Sequence, residues 1–134
     1  MASNERSPSD ALVAVGLDHV RLAYDYLDHG DIDGFASLLD ARAVLRRPCQ
    51  PPLRGRAEVE RHGGRQLVGQ HTLGRLFAGN GNIAAVGHFA GMDVAGRLLD
   101  VEFADVFTVA ESGLLLSQQT FYFTDPCGTP PNAR

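Results

Sequence analysis

Four long extended stretches follow one another between residues 65 and 124, and nothing else in the chain restricts its fold as much. "RQLVGQHTLGRLFA", "NIAAVGHFAGMDV", "RLLDVEFADVFTV" and "LLLSQQTFYFT" are separated by "GNGN", "AG" and "AESG", the turn chemistry of antiparallel hairpins. Strands joined in this way make a meander. The first half of the chain reads differently. A helix starts near "SPSD", where Ser7 can cap, Pro8 suits the first helical position and Asp10 complements the helix dipole. Val13, Leu17, Val20, Tyr24 and Leu27 then recur at steps of four and three, which places them on one helical face, and Gly30 ends the helix. Asp31 caps a second helix, "IDGFASLLD", with Phe35, Leu38 and Leu39 turned inward. "ARAVLRRP" is extended and closes at Pro48 and the Pro51-Pro52 pair, and a third helix, "RAEVERH", runs from Gly55 to Gly63-Gly64. Helices first and a meander second predict an α+β domain. Its one curved antiparallel sheet is cone-shaped, and three N-terminal helices cover the concave side and enclose a pocket.

The 134 residues suffice for one core, expected over residues 10–124, with flexible tails at 1–9 and 125–134. A formal net charge of −4 argues against nucleic acid as a partner, because such binding needs a basic face to displace counterions. Arg42, Arg46, Arg47, Arg54, Arg56, Arg61 and Arg65 do make the middle of the chain basic, yet no aromatic residue is interleaved there for base stacking. No apolar run reaches the length of a membrane helix, and "MASNERSPSD" lacks the features of a secretory leader, so a cytoplasmic protein with no membrane partner is expected. The two cysteines, in "RPCQPP" and "DPCGTP", then read as free thiols, and neither has metal-ligand spacing. No phosphate loop, nucleophile elbow or nicotinamide fingerprint is present, and no cofactor is expected.

The chemistry concentrates in "LDVEFADVF". Strand alternation projects Val101, Phe103, Asp105 and Phe107 from one face, which sets a carboxyl group among apolar side chains. Burying an unpaired carboxylate costs several kcal/mol on mutational scales, so the group must be paired, hydrogen-bonded or protonated. A pocket acid meets that description. An architectural salt bridge from Asp105 to Arg47 or Arg97 would meet it equally.

"AYDYLDHGDIDGFASLLDARAVLRRP…PPLRGRAEV" resembles the opening of the nuclear-transport-factor-2-like superfamily: a helix, a Gly-Asp turn, a second helix, a short strand ending in proline, and an "RG" turn into a third helix. The later segments match its sheet, so the likeness spans about residues 12 to 124, and its fold is a cystatin-like α+β barrel. The branches it looks most like are the ketosteroid isomerases and the SnoaL-like polyketide cyclases. The resemblance implies that Asp105, in "FADVF", is the sheet acid of those enzymes. The isomerase base falls on Arg47 and the helix-borne tyrosine on Ala23, next to Tyr24. That departure counts against steroid-type isomerisation and leaves acid-assisted cyclisation, rearrangement or epoxide opening.

Pairing the hairpins by sequence sets His88 beside Asp105 as a proton partner, with Val86 and Ala90 on its face. The structural alternative for His88 is a half-exposed ring at a strand end. Arg47 can clamp a substrate carboxylate, enolate or phenolate with its fork of donors, or can simply be solvated like its neighbour Arg46. Tyr24, Phe103, Gln118, Tyr122 and Val86 are expected to line the pocket, and His71 is a weaker candidate that reads as exposed. In the last strand both faces mix polar and apolar residues. Alignment to the family turns Leu116, Gln118, Thr120 and Tyr122 inward and leaves Phe121 and Phe123 on the outer face, where a second copy would cover them. Two functions are therefore carried forward. One is a cofactor-independent cyclase or isomerase acting by acid/base catalysis on a small hydrophobic, polyketide-like intermediate. The other is a non-catalytic binder of hydrophobic ligands, or a dimerising scaffold, on the same fold.

Overall fold

A computed structural model describes residues 8–63, 67–93 and 95–123. Three helices, α1 (Pro8–Asp28), α2 (Ile32–Ser37) and α3 (Arg56–His62), accompany six strands. These are β1 (Leu39–Arg46), β2 (Leu53–Arg54), β3 (Leu67–Gly79), β4 (Asn82–Asp93), β5 (Leu98–Val109) and β6 (Leu115–Tyr122). They form one curved open sheet in the order β2-β1-β6-β5-β4-β3. The meander β3 to β6 is antiparallel as expected, but β1 joins β6 in parallel, so the sheet is mixed. The short β2 was not anticipated. Of the tails expected at 1–9 and 125–134, residues 1–7, with Ser7, and 125–134 lie outside the described residues, whereas Pro8 and Ser9 already belong to α1.

Local chemistry accounts for most boundaries. Gly30 takes φ 72°, a left-handed conformation that releases the chain from α1. Asp31 then caps α2, its side chain accepting from the Gly34 N–H at 2.8 Å. The second helix is shorter than its sequence suggests. Leu38 and Leu39 leave it because the Leu38 carbonyl accepts from the Leu115 N–H and Leu39 pairs with Leu115, so β6 draws them into the sheet. Pairing across the fold overrides local helix preference here.

The inner face of the sheet carries Leu39, Ala43, Leu45, Ile83, Ala85, Phe89, Val101, Phe103, Phe107 and Leu115, all buried against Val20, Ala23 and Tyr24 of α1 and Phe35 of α2. Where β3 and β4 cross the inner face near Phe89, Gly69 pairs with Gly91. A Cβ on Gly91 would lie 2.2 Å from the Val68 carbonyl oxygen, so only glycine allows the two backbones to come this close.

Two irregularities shift the alternation. An extra residue between Leu73 and Arg75 turns Leu73 and Leu76 to the same face. The second lies at the start of β6, where Leu115 is buried, Leu116 is exposed and Gln118 is buried again. Leu116 is thus corrected to the outer face, while Gln118, Thr120 and Tyr122 stay inside. One further expectation fails. Cys49 is disulfide-bonded rather than a free thiol.

Candidate active site

Asp105 reaches the interior as alternation along β5 requires, keeping 3% of its exposure between the buried Phe103 and Phe107. Two hydroxyls hold it. Tyr24, on the buried face of α1, donates to Oδ2 at 2.5 Å, and Thr120, paired with Asp105 across β5 and β6, donates to Oδ1. Burial raises the carboxyl pKa above its usual range. The hydrogen bonds from Thr120 and Tyr24 and the charges of His71 and Arg47 act against that rise without cancelling it. The same environment raises the Tyr24 phenol well above its ordinary value, first through burial and then through Asp105. Tyr122 is pushed up to about 12, mainly by burial.

Arg47 follows β1 and turns inward, whereas Arg46 is exposed. Its Nη1 donates to the Gly63 carbonyl at 2.6 Å, and its guanidinium lies 5.6 Å from the centre of the Phe35 ring. Burial lowers its pKa, and the nearby Asp105 and Tyr122 raise it. Among the described residues no carboxylate comes within ion-pair distance of Arg47. The architectural salt bridge from Asp105 is therefore absent, and Arg97 pairs with Asp93 instead.

The imidazole beside this group is not the expected one. Ala85 pairs with Asp105, which sets His88 opposite Glu102, three residues further along β4 and on the outer face. There His88 bonds the exposed Asp100, its side chain 42% exposed, and Val86 lies on that same outer face. Both residues are corrected out of the site. His71 on β3 is inside instead, only 15% exposed in its side chain, with its ring 5.0 Å from Tyr24, 4.8 Å from Phe89 and 5.3 Å from Phe103. Asp28, the last residue of α1, accepts from the His71 backbone N–H at 2.9 Å and meets its Nδ1 at 2.6 Å. Asp28 was missed in the sequence, although its spacing of four from Tyr24 puts the two on one helical face. At the position the resemblance gave to a helix-borne tyrosine, Ala23 is buried without a polar atom to offer, and its neighbour Tyr24 brings the hydroxyl to Asp105.

Gln118 completes the inner polar set. It is buried, and its Oε1 has no hydrogen-bond partner among the described residues, an acceptor left available inside the protein. No His/Cys/Asp/Glu group among the described residues could hold a metal ion, and no described helix is long and apolar enough to cross a membrane.

Comparison with known proteins agrees with this fold. The description of SnoaL-like domains matches residues 20–117. No curated protein matches the sequence. Among solved structures, a protein assigned as a SnoaL-like polyketide cyclase from Jannaschia sp. CCS1 superposes with TM-score 0.72 at 14% identity, covering 96% of this chain and all of the other. The Δ5-3-ketosteroid isomerase of Mycobacterium sp. superposes with TM-score 0.67 at 15% identity, over 80% and 92% of the two chains. SalBIII, an epoxide hydrolase/cyclase-like enzyme of pyran ring formation in salinomycin, gives 0.69 at 19% identity, over 82% and 92%. At such identities the likeness is one of fold.

Proposed function

Because the chain belongs to the family of SnoaL-like domains, we propose that it is a cofactor-independent cyclase or isomerase acting by acid/base catalysis on a small hydrophobic intermediate of polyketide type. One observation carries this reading: a buried carboxyl with a raised pKa, held by two hydroxyls and near the Arg47 guanidinium, which has no ion-pair partner among the described residues. A carboxyl whose neutral form is favoured by burial can give a hydrogen bond or a proton to a carbonyl or epoxide oxygen as charge develops there. Arg47 would hold an enolate, phenolate or carboxylate of the same substrate, and Tyr24, Phe103, Gln118 and Tyr122 would orient its remainder.

The relatives support an enzyme of this kind, and the fold also serves molecules that only bind. An enolisable aryl β-diketone with a pendant ketone separates the two. Wild-type protein should convert it faster than buffer, either to a ring-closed product lighter by one water or to an isomer of unchanged mass, followed by mass spectrometry and proton NMR. A diketone that raises the melting temperature yet returns unchanged would assign the protein to the binders.

The outer face is proposed as the contact with a second copy. Phe77, Val106 and Phe121 are exposed on β3, β5 and β6, and Phe123 beyond β6 is 61% exposed. Phe77 pairs with Ala84, Ala84 with Val106 and Ala104 with Phe121, so these side chains form an apolar band across the sheet. Such a band can face its own copy across a two-fold axis. Phe121→Glu should therefore turn a dimer into a monomer in sedimentation while leaving the circular dichroism unchanged, and a wild-type monomer at the same concentration would refute the contact.

A further inference from the structure

We infer that His71, held by Asp28, is the second proton-transfer group of this site. The inference rests on the acid/base reading above and names the partner that reading lacks once His88 is placed outside.

The geometry is directional. Asp28 engages His71 with both carboxylate oxygens: Oδ2 takes the backbone N–H at 2.9 Å and Oδ1 lies 2.6 Å from Nδ1. A carboxylate can only accept, so the proton of a neutral ring sits on Nδ1 and Nε2 is left with its lone pair. Nε2 has no hydrogen-bond partner among the described residues. Three aromatic rings surround the imidazole, and one of them, Tyr24, carries the hydroxyl bonded to Asp105. The base and the acid are thus joined through one side chain, Tyr24, whose ring touches His71 and whose hydroxyl holds Asp105. Nothing about packing α1 on β3 requires a histidine here, since an apolar ring would pack as well without needing a half-buried carboxylate to match it.

The step balances without any further reagent. Nε2 takes the α proton, the C–H electron pair becomes the C=C of an enolate, and the carbonyl π pair moves to oxygen, which takes a hydrogen bond from the neutral carboxyl of Asp105, itself held by Tyr24 and Thr120. Return of the proton from Nε2 to another carbon isomerises the substrate. Attack of the enolate carbon on an internal carbonyl closes a ring, and the new alkoxide takes the proton. In this scheme His71 is catalytic and Asp28 is a positioning residue.

Exchange of the α protons of 2-tetralone in deuterated buffer, followed by proton NMR, tests this with a compound of known structure. Wild-type protein should exchange them at least roughly a hundredfold faster than an equal concentration of free imidazole. His71→Ala should fall to the buffer rate and recover when imidazole is added, which also shows that the variant is folded. Asp28→Asn should lower kcat tenfold or more with little change in KM and alter the nitrogen-15 signature of the His71 ring from the single Nδ1–H tautomer. Asp28→Glu should restore part of the rate. If His71→Ala exchanges at the wild-type rate while Asp105→Asn does not, the inference is overturned and the acid/base reading stands. If His71→Ala is inactive without imidazole rescue and Asp28→Asn is fully active, the pair is only a structural clip and the inference is likewise overturned. If wild-type protein gives no acceleration, or neither residue affects it, both fall.

Discussion

Asp105→Asn should slow turnover of the β-diketone by at least about a hundredfold while its affinity changes by less than about threefold. Asparagine matches the carboxyl in shape. Its amide oxygen can accept from one of the two hydroxyls now on Asp105, and its amide nitrogen can donate to the other. What the amide lacks is an ionisable proton. A hundredfold loss is about 2.7 kcal/mol of transition-state stabilisation, a size that loss of a single positioned acid/base group readily accounts for. Because the packing partners Phe103 and Phe107 are untouched, the loss belongs in kcat rather than KM. A binder would respond in the opposite way, with affinity as its only measure of function and that nearly constant. Steady-state kinetics beside calorimetric binding of the same diketone decides between them, and an unchanged kcat would remove Asp105 from the chemistry.

The parts of this site that were legible in the sequence are those with unbroken alternation. β5 runs from Leu98 to Val109 in register with β4, so Val101, Phe103, Asp105 and Phe107 stay on one face and Asp105 could be assigned inward from pattern alone. β4 offers no such guide. Ala84 and Ala90 lie on one face, Ala85, Gly87 and Gly91 on the other, so apolar and small residues occur on both and the pattern does not specify a register. His88 was misplaced by an odd number of residues for that reason, and an odd slip moves a side chain to the opposite face. β3 hides His71 differently, because its irregularity at Leu73 and Arg75 changes the phase of alternation within one strand. The parallel pairing of β1 with β6 joins residues more than seventy positions apart, and local signals carry no trace of it. The three helices were readable, but α2 was overextended because β6 claims Leu38 and Leu39. What sequence does offer toward the Asp28–His71 pair is the helical spacing of Tyr24 and Asp28, which becomes meaningful only once β3 is known to pass beside the end of α1.

Asp105 should also make the wild-type protein lose stability relative to Asp105→Asn as pH rises from about 4 through neutrality. In the unfolded chain the carboxyl titrates near about 3.9, and in the folded protein burial raises it. Between those two values the folded state binds the extra proton, so the stability that the neutral carboxyl confers is complete below the unfolded pKa and lost as pH climbs through the folded one. Asparagine stays neutral at every pH and contributes no such slope. The two proteins should therefore be close in stability at pH 3, with the variant pulling ahead toward neutrality by about 1.4 kcal/mol for each unit by which the fold raises the carboxyl pKa. Asp93, which its bonds to Arg97 hold below the usual range, is common to both and drops out of the difference. The groups that face Asp105 are Tyr24 on α1, Arg47 after β1, His71 on β3 and Tyr122 on β6, and the charges of Arg47 and His71 oppose the trend. Urea denaturation of both proteins from pH 3 to 8 reads the sign directly. A difference that runs the other way, with wild type gaining on the variant as pH rises, would mean that Arg47 and His71 outweigh burial and that Asp105 is a fixed anion. The expected sign makes the residue that supplies the acid one the fold would be more stable without, a conflict between activity and stability that belongs to a site rather than to a core.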